Sequence, residues 1–96
     1  MVFDISKVTG IGEYSEKAGK ERTLFYKQDK VFLVVNKNTI EVRTDGELAK
    51  LLRDKYESVM DSRYFGRGGI EIVLAGHQLT EDELNDIVRL SYNLTA

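Results

Sequence analysis

The residues with the clearest chemical potential in this chain are five basic side chains at or beside predicted turns: Lys27, Lys30, Lys37, Arg63 and Arg67. Cations at hairpin tips can contact phosphates, and the aromatic Tyr64 and Phe65 beside Arg67 could stack on an unpaired base. The same cations are also the ordinary means of keeping strand edges soluble. The pattern therefore predicts either a nucleic-acid contact or solvated turns.

Residues for catalysis or metal binding are scarce. The chain has no Cys and one His, His77, in a turn between Gly76 and Gln78, where an exposed loop residue is expected rather than a general base. Four acids could gather a hard cation, but helix capping already explains them: Glu81, Asp82, Glu83 and Asp86. We expect no catalytic residue, no cofactor and no metal.

The glycine-rich run Gly66-Arg67-Gly68-Gly69 resembles a phosphate-binding loop only superficially. It lacks the trailing Lys-Ser/Thr, and it joins two predicted strands rather than a strand and a helix. We therefore predict a hairpin turn at this run.

Composition narrows the class of protein. The chain has 96 residues and a net charge of −2, which is not typical of a dedicated nucleic-acid binder. Six basic residues against two acidic ones make residues 17–37 the only basic region. No apolar run reaches the roughly 18 residues of a membrane span, and no signal-like segment precedes Lys7. We expect one domain over residues 1–96, cytoplasmic and without membrane contact.

Hydrophobic periodicity predicts the secondary structure. Residues 23–27, 31–35 and 39–43 are typical of strands, and residues 59–65 and 70–74 of a second hairpin. Capping boxes predict helices that begin at Thr44, with Glu47, and at Thr80, with Glu83. Residues 1–22 are poorly patterned, with glycines interrupting both templates, and are expected to be irregular.

The predicted element order is β-β-β-α-β-β-α. Two helices with one apolar stripe each should cover one face of a five-stranded, largely antiparallel sheet. The expected fold is therefore α+β, in a two-layer sandwich.

Such a sandwich leaves one sheet face without helices. If the strands alternate regularly, four apolar side chains point to that face: Phe25, Phe32, Val34 and Val73. An exposed apolar row indicates a homodimer or a protein partner. The alternative is that the apolar side chains of the first segment fold back and cover the row: Phe3, Ile5, Val8 and Ile11.

Several ordered motifs resemble the MmcQ/YjbR family. They are the strand-to-helix segment Glu41 to Tyr56, the sequence Ser62-Arg-Tyr, the strand Ile70 to Gly76, the helix start Leu79 to Leu84, and the pair Ser91-Tyr92. The resemblance covers about three quarters of the chain, from Thr23 onward. It implies a two-layer fold shared with type III secretion chaperones, a bacterial cytoplasmic protein, and DNA binding through a double-wing motif.

No catalytic residue follows from this resemblance, and two features depart from the family. Phe65 to Ile70 replace its N-K-x-H-W segment, which removes a His and a Trp, and the N-terminal helix is shortened or absent. We therefore expect a non-enzymatic binding module that associates with protein through the sheet face. The alternative is DNA or RNA binding through the basic turns.

Overall fold

The computed structural model describes residues 3–95, which contain six strands and two α-helices. The strands are β1 (Ser15–Ala18), β2 (Arg22–Lys27), β3 (Lys30–Asn36), β4 (Thr39–Arg43), β5 (Val59–Ser62) and β6 (Gly66–Val73). The helices are α1 (Gly46–Lys55) and α2 (Glu81–Leu94), and a short 3-10 turn spans Ile5–Lys7.

All six strands form one antiparallel sheet in the order β1-β2-β3-β4-β6-β5. The predicted α+β class, with an antiparallel sheet and two helices, is confirmed. The predicted strand number of five and the predicted order β-β-β-α-β-β-α are wrong, because a further strand, β1, precedes the others and pairs with β2 from Ser15–Tyr26 to Ala18–Thr23. All four β1 side chains are exposed, so this strand carries no apolar alternation that could reveal it in the sequence.

One predicted helix start is confirmed and the other is displaced by a residue. At α2, the Thr80 hydroxyl accepts from the Glu83 N–H at 3.1 Å, and the Glu83 carboxylate accepts from the Thr80 N–H at 2.9 Å. At α1, the cap is Asp45, whose carboxylate accepts from the Leu48 N–H at 2.7 Å. The Thr44 N–H donates to the Gly68 carbonyl at 3.0 Å and so continues the sheet, which makes it unavailable to the Glu47 carboxylate of the predicted capping box.

Both helices pack on the same face of the sheet. Strand alternation turns Ile40 and Val42 of β4 toward this layer, with Ile70 and Ile72 of β6 beside them, and all four are fully buried. One hydrophobic cluster joins these strand residues to Ala49 of α1 and to four residues of α2: Leu84, Ile87, Val88 and Tyr92. We call this face the helix face and the opposite one the second face.

A buried serine ties α2 to the sheet. The Ser91 hydroxyl donates to the Phe32 carbonyl at 2.6 Å and accepts from the Arg43 N–H at 2.8 Å. Beside it, the β2–β3 register slips so that Phe25 opposes Leu33 while Tyr26 opposes Val31. The extra residue of this bulge is Phe32, and its ring lies edge-on to Tyr92, with 5.0 Å between the ring centroids.

The first segment runs along α2 rather than over the second face. Val8 is buried in the cluster, and Phe3, Ile5 and Ile11 pack against it. Three carbonyls of this segment accept from side chains of α2: Lys7 from Asn85, Thr9 from Arg89, and Glu13 from Tyr92. These side-chain bonds leave no periodic pattern in the sequence, so the path of this segment cannot be predicted from hydrophobic periodicity.

The second hairpin turns earlier than predicted. The turn is formed by Arg63 to Phe65, and the glycine run that was expected to form it is the start of β6. At Gly69, a Cβ atom would collide with the Val42 carbonyl oxygen and come within 2.8 Å of the Phe65 Cβ atom. The missing side chain therefore lets Phe65 lie close over the sheet.

Gly69→Ala should therefore lower the free energy of unfolding by roughly 2–4 kcal/mol, because backbone and a packed ring must both move. Gly68→Ala is the matched control, since its Cβ would lie 3.5 Å from the Phe65 carbonyl oxygen, an ordinary contact. Urea denaturation of both variants measures the difference. Equal losses in the two variants would contradict this account of the turn.

Candidate functional site

The second face carries two buried carboxylates. Glu41 of β4 and Glu71 of β6 are direct cross-strand partners, and they are 1% and 2% exposed. Ile40 and Val42 flank Glu41 and point to the helix face, as Ile70 and Ile72 do beside Glu71, so alternation turns both acids to the second face. Like charges at this spacing repel unless each has its own compensating partners.

Glu41 is compensated by three hydrogen-bond donors from different segments. Its carboxylate accepts from the Asn36 amide at 2.9 Å, from the Ser62 hydroxyl at 2.9 Å and from the Tyr64 N–H at 2.8 Å. The Ser62 hydroxyl in turn accepts from the Phe65 N–H at 2.9 Å. Glu41 therefore anchors the Arg63–Phe65 turn to the second face.

Glu71 is compensated by a cation. Arg63 donates from Nε to Oε1 at 2.9 Å and from Nη2 to Oε2 at 2.7 Å, and the Thr39 hydroxyl donates to Oε2 at 2.7 Å. The Arg63 side chain remains 74% exposed. Its guanidinium thus covers a buried carboxylate on one side and faces solvent on the other.

Opposing effects set the pKa of Glu41. Burial raises it, while hydrogen bonds from Asn36, the Tyr64 N–H and Ser62, together with the charge of Arg63, lower it by more. The net pKa lies below the ordinary glutamate value. Glu41 is therefore an ionised acceptor at neutral pH.

A groove of about 1260 Å³ opens at one end of the sheet beside these carboxylates. It lies between the β1–β2 turn, the β3–β4 turn and Arg63. Four of its lining residues are cationic and two are anionic: Lys20, Arg22, Lys37 and Arg63 against Glu21 and Glu41. Within residues 3–95, no hydrogen bond or ion pair engages the Lys20 or Lys37 side chains, so both ammonium groups are available to a ligand.

An aromatic ring lies beside Arg22, one of the residues that line this groove. Tyr64 is 38% exposed, and the Arg22 guanidinium lies over its ring at 5.3 Å from the centroid. The Phe65 ring supports it from another side, at 5.0 Å between centroids and an angle of 78°. A ring held in this way is a preorganised stacking surface.

The five basic residues named from the sequence do not form one patch. Lys37 and Arg63 line the groove, whereas Lys27 donates to the Tyr92 carbonyl at 3.1 Å and is committed to α2. Lys30 and Arg67 are exposed but do not line the groove. The sequence analysis did not name Lys20 and Arg22 as site residues. The basic stretch 17–37 contains both, but their position at the groove depends on the β1–β2 turn, which the sequence did not predict.

Two of the four apolar residues assigned to the second face lie elsewhere. Phe25 and Phe32 belong to the helix-face cluster, so their predicted orientation is wrong. Phe25 pairs with Leu33, which pairs in turn with Val42 of the helix face, and the bulge at Phe32 breaks the alternation of β3. Val34 does lie on the second face, opposite Glu41, but it is fully buried. Val73 is the one member of the set that keeps partial exposure.

The remaining chemical candidates are dispersed. His77 is exposed in its loop. Glu83 serves the α2 cap and also accepts from the Tyr56 hydroxyl, while Glu81 pairs with Lys7 and Asp86 with Arg89. Among residues 3–95, no group of three or more His, Asp or Glu converges as metal ligands. Over the same residues, no helix has the length and apolar character needed to cross a membrane.

Glu41→Gln tests the anchoring role through pH. Because the folded pKa lies below the unfolded one, ionised Glu41 stabilises the fold above about pH 5, and this stability is lost as pH falls through the folded pKa. The variant should be about 1–3 kcal/mol less stable at pH 7, since an amide NH₂ cannot accept from Asn36. Its further loss on acidification should be smaller than that of the wild type.

Urea denaturation between about pH 7 and pH 3 measures both curves. Glu16→Gln on the exposed strand β1 is the control, and its curve should follow the wild type. Parallel pH curves for Glu41→Gln and the wild type would contradict an ionised anchor.

Comparison of the chain with protein-family models, with curated proteins and with solved structures finds no match. The MmcQ/YjbR resemblance accordingly stays a prediction made from the sequence.

Proposed function

We propose that this protein is a small, non-enzymatic binding module whose groove takes single-stranded nucleic acid. One observation carries the proposal: Lys20, Arg22 and Lys37 converge from two turns at one groove, and Arg22 lies over the exposed ring of Tyr64. Cations for phosphates and an aromatic surface for a base are the two components of single-strand recognition.

The cations differ in what they can offer. Lys20 and Lys37 can move to phosphates without breaking an internal contact, whereas Arg63 is held by Glu71. Two mobile ammonium groups on a chain of net charge −2 predict modest affinity with a clear dependence on salt. Phosphate contact of this kind is independent of sequence.

Tyr64 supplies the preference for an unpaired strand. Its backbone is anchored by Glu41 and its ring is supported by Phe65, so little conformational entropy is lost when a base stacks on it. Arg22 now covers this ring and would be released toward a phosphate when a base takes its place. Bases in a duplex are stacked on each other and cannot use the ring in this way.

We also propose a relation to the MmcQ/YjbR family, with the bacterial cytoplasmic location that it implies. The supporting observation is the order β-β-β-α-β-β-α from β2 onward, which agrees with the two-layer fold that the resemblance implies. The added strand β1 and the glycine-rich start of β6 distinguish this chain from the family pattern.

Fluorescence anisotropy with a labelled oligothymidylate at low salt tests the nucleic-acid proposal. Lys20→Glu combined with Lys37→Glu should weaken binding about tenfold or more, because two phosphate contacts become repulsive. The charge-matched control is Lys30→Glu with Lys50→Glu, two exposed lysines outside the groove, which should change binding by less than about threefold.

A second arm tests stacking. Tyr64→Leu should weaken binding about five- to tenfold, whereas Tyr14→Leu, at an equally exposed ring outside the groove, should not. Absence of binding by the wild type, or equal losses in the two charge-reversed variants, would overturn the proposal.

Protein association through the second face is the second candidate function. Met60 of β5 opposes Glu71 on this face and is 43% exposed, and Val73 is partly exposed on it. Together they are the apolar residues through which a homodimer or another protein could contact this side of the sheet.

Sedimentation equilibrium should then show a dimer that Met60→Glu dissociates, because a carboxylate would be buried without a partner at the interface. Leu51→Glu, on the exposed side of α1, is the control and should leave the dimer intact. A monomeric wild type at high micromolar concentration would exclude homodimerisation.

A further inference from the structure

A separate cavity of about 250 Å³ lies between the first segment, the end of β6 and the start of α2. Four of the side chains that line it are buried and apolar: Ile72, Leu74, Leu79 and Leu84. The partly buried Phe3 of the first segment lines it as well. Protein interiors leave few voids larger than a water molecule, so an apolar cavity of this size indicates a ligand.

The buried walls of this cavity are fixed by the backbone. On the sheet side, Ile72 belongs to the ladders that join β6 to β4 and to β5, and the Leu74 N–H donates to the Asn38 carbonyl at 2.9 Å. On the helix side, Leu79 and Leu84 occupy the two positions of a hydrophobic staple around the capping box of α2. The cavity is therefore preformed, because neither wall is free to move inward and close it.

The ionisable side chains in the lining are exposed, and their charges nearly cancel. They are Asp4, Lys7, His77 and Glu81, which give a net charge of −1 with a neutral imidazole and of zero with a protonated one. The Lys7 ammonium group lies 3.5 Å from the Glu81 carboxylate, and the Asp4 carboxylate accepts from the N–H of Ser6 at 3.0 Å and from its hydroxyl at 2.7 Å. Both carboxylates thus have a partner already, and no surplus of positive charge favours an anion.

The two amide side chains in the lining leave no carbonyl oxygen for a ligand. Gln78 Oε1 accepts from the Ser58 N–H at 2.9 Å. Asn85 Oδ1 is shielded from the cavity, and Asn85 Nδ2 donates to the Lys7 carbonyl at 3.5 Å. Recognition in this cavity therefore depends on apolar contact and on shape.

We propose that this cavity binds a small, neutral, apolar molecule about the size of a substituted benzene. A dry cavity of roughly 150 Å³ lined by Leu, Ile and Phe is large enough for benzene, so one of about 250 Å³ has room for a ring with a short substituent. The proposal does not depend on nucleic-acid binding, because the cavity and the groove share no lining residue.

Titration with benzyl alcohol, followed by NMR shifts of backbone amides, tests the site. Saturable shifts should be centred on Leu74 and Leu84. Benzylamine and benzoate have nearly the same shape but are charged at pH 7, and each should bind at least about fivefold more weakly, because its charge would leave water without a partner. No saturable shift with the alcohol, or equal or tighter binding of either charged probe, would overturn the proposal.

Variants that fill the cavity distinguish binding there from adhesion to exposed apolar side chains. Leu84→Phe and, independently, Leu79→Phe enlarge a lining side chain and should each weaken binding of benzyl alcohol about tenfold or more. Leu90→Phe, the same substitution at an exposed position of α2 outside the cavity, is the control and should bind like the wild type.

Thermal unfolding followed by circular dichroism shows which of these variants are folded. Unchanged affinity in a folded filling variant, or an equal loss in Leu90→Phe, would contradict binding in the cavity. If neither filling variant folds, the comparison of neutral and charged probes on the wild type still decides the proposal.

Discussion

The buried carboxylate of Glu41 sets the arrangement of the whole second face. An ionised group in the middle of a sheet needs several hydrogen-bond donors, and strand β4 itself cannot supply them because its backbone groups already pair with β3 and β6. The donors come instead from the end of β3, from β5 and from the turn that follows β5. Satisfying one charge therefore joins the end of β3 to the continuous stretch formed by the end of β5 and the turn after it.

The position of the Arg63–Phe65 turn follows from that requirement. With the Tyr64 N–H bound to Glu41, Phe65 is directed over Gly69, where only the absence of a Cβ atom leaves room for it. Arg63 is then in reach of Glu71, and the second buried acid gains its counter-ion from the same turn. This anchoring also determines the position of the exposed Tyr64 ring beside Arg22. The hydrogen bonds that stabilise the sheet therefore position part of the proposed binding surface.

The helix face is organised by different forces. Apolar burial dominates there, and Ser91 adds hydrogen bonds that fix α2 at the bulge between β2 and β3. The first segment then lies along α2 through side-chain bonds to its carbonyls, and a cavity of about 250 Å³ lies between this segment and the start of the helix. Burial thus holds one side of the protein together, and compensated charge holds the other.

Local patterns in the sequence determined the elements with strong periodicity or capping: strands β2 to β6 in outline, both helices, and the capping box at Thr80. Strand β1 and the first segment depended on tertiary structure, because backbone pairing and long-range side-chain bonds leave no periodic trace.

The proposed binding surface also depended on tertiary structure. Lys20, Arg22 and Lys37 line one groove because the β1–β2 and β3–β4 turns lie side by side in the folded chain. Arg22 lies over Tyr64 because Glu41, a glutamate in an ordinary alternating strand, binds the Tyr64 N–H and holds that turn on the second face. Alternation predicts the face that a strand residue occupies, but the single bulge at Phe32 reverses the alternation within β3. The hydrogen-bond partners of a buried charge are brought together only in the folded chain, so the sequence pattern does not identify them.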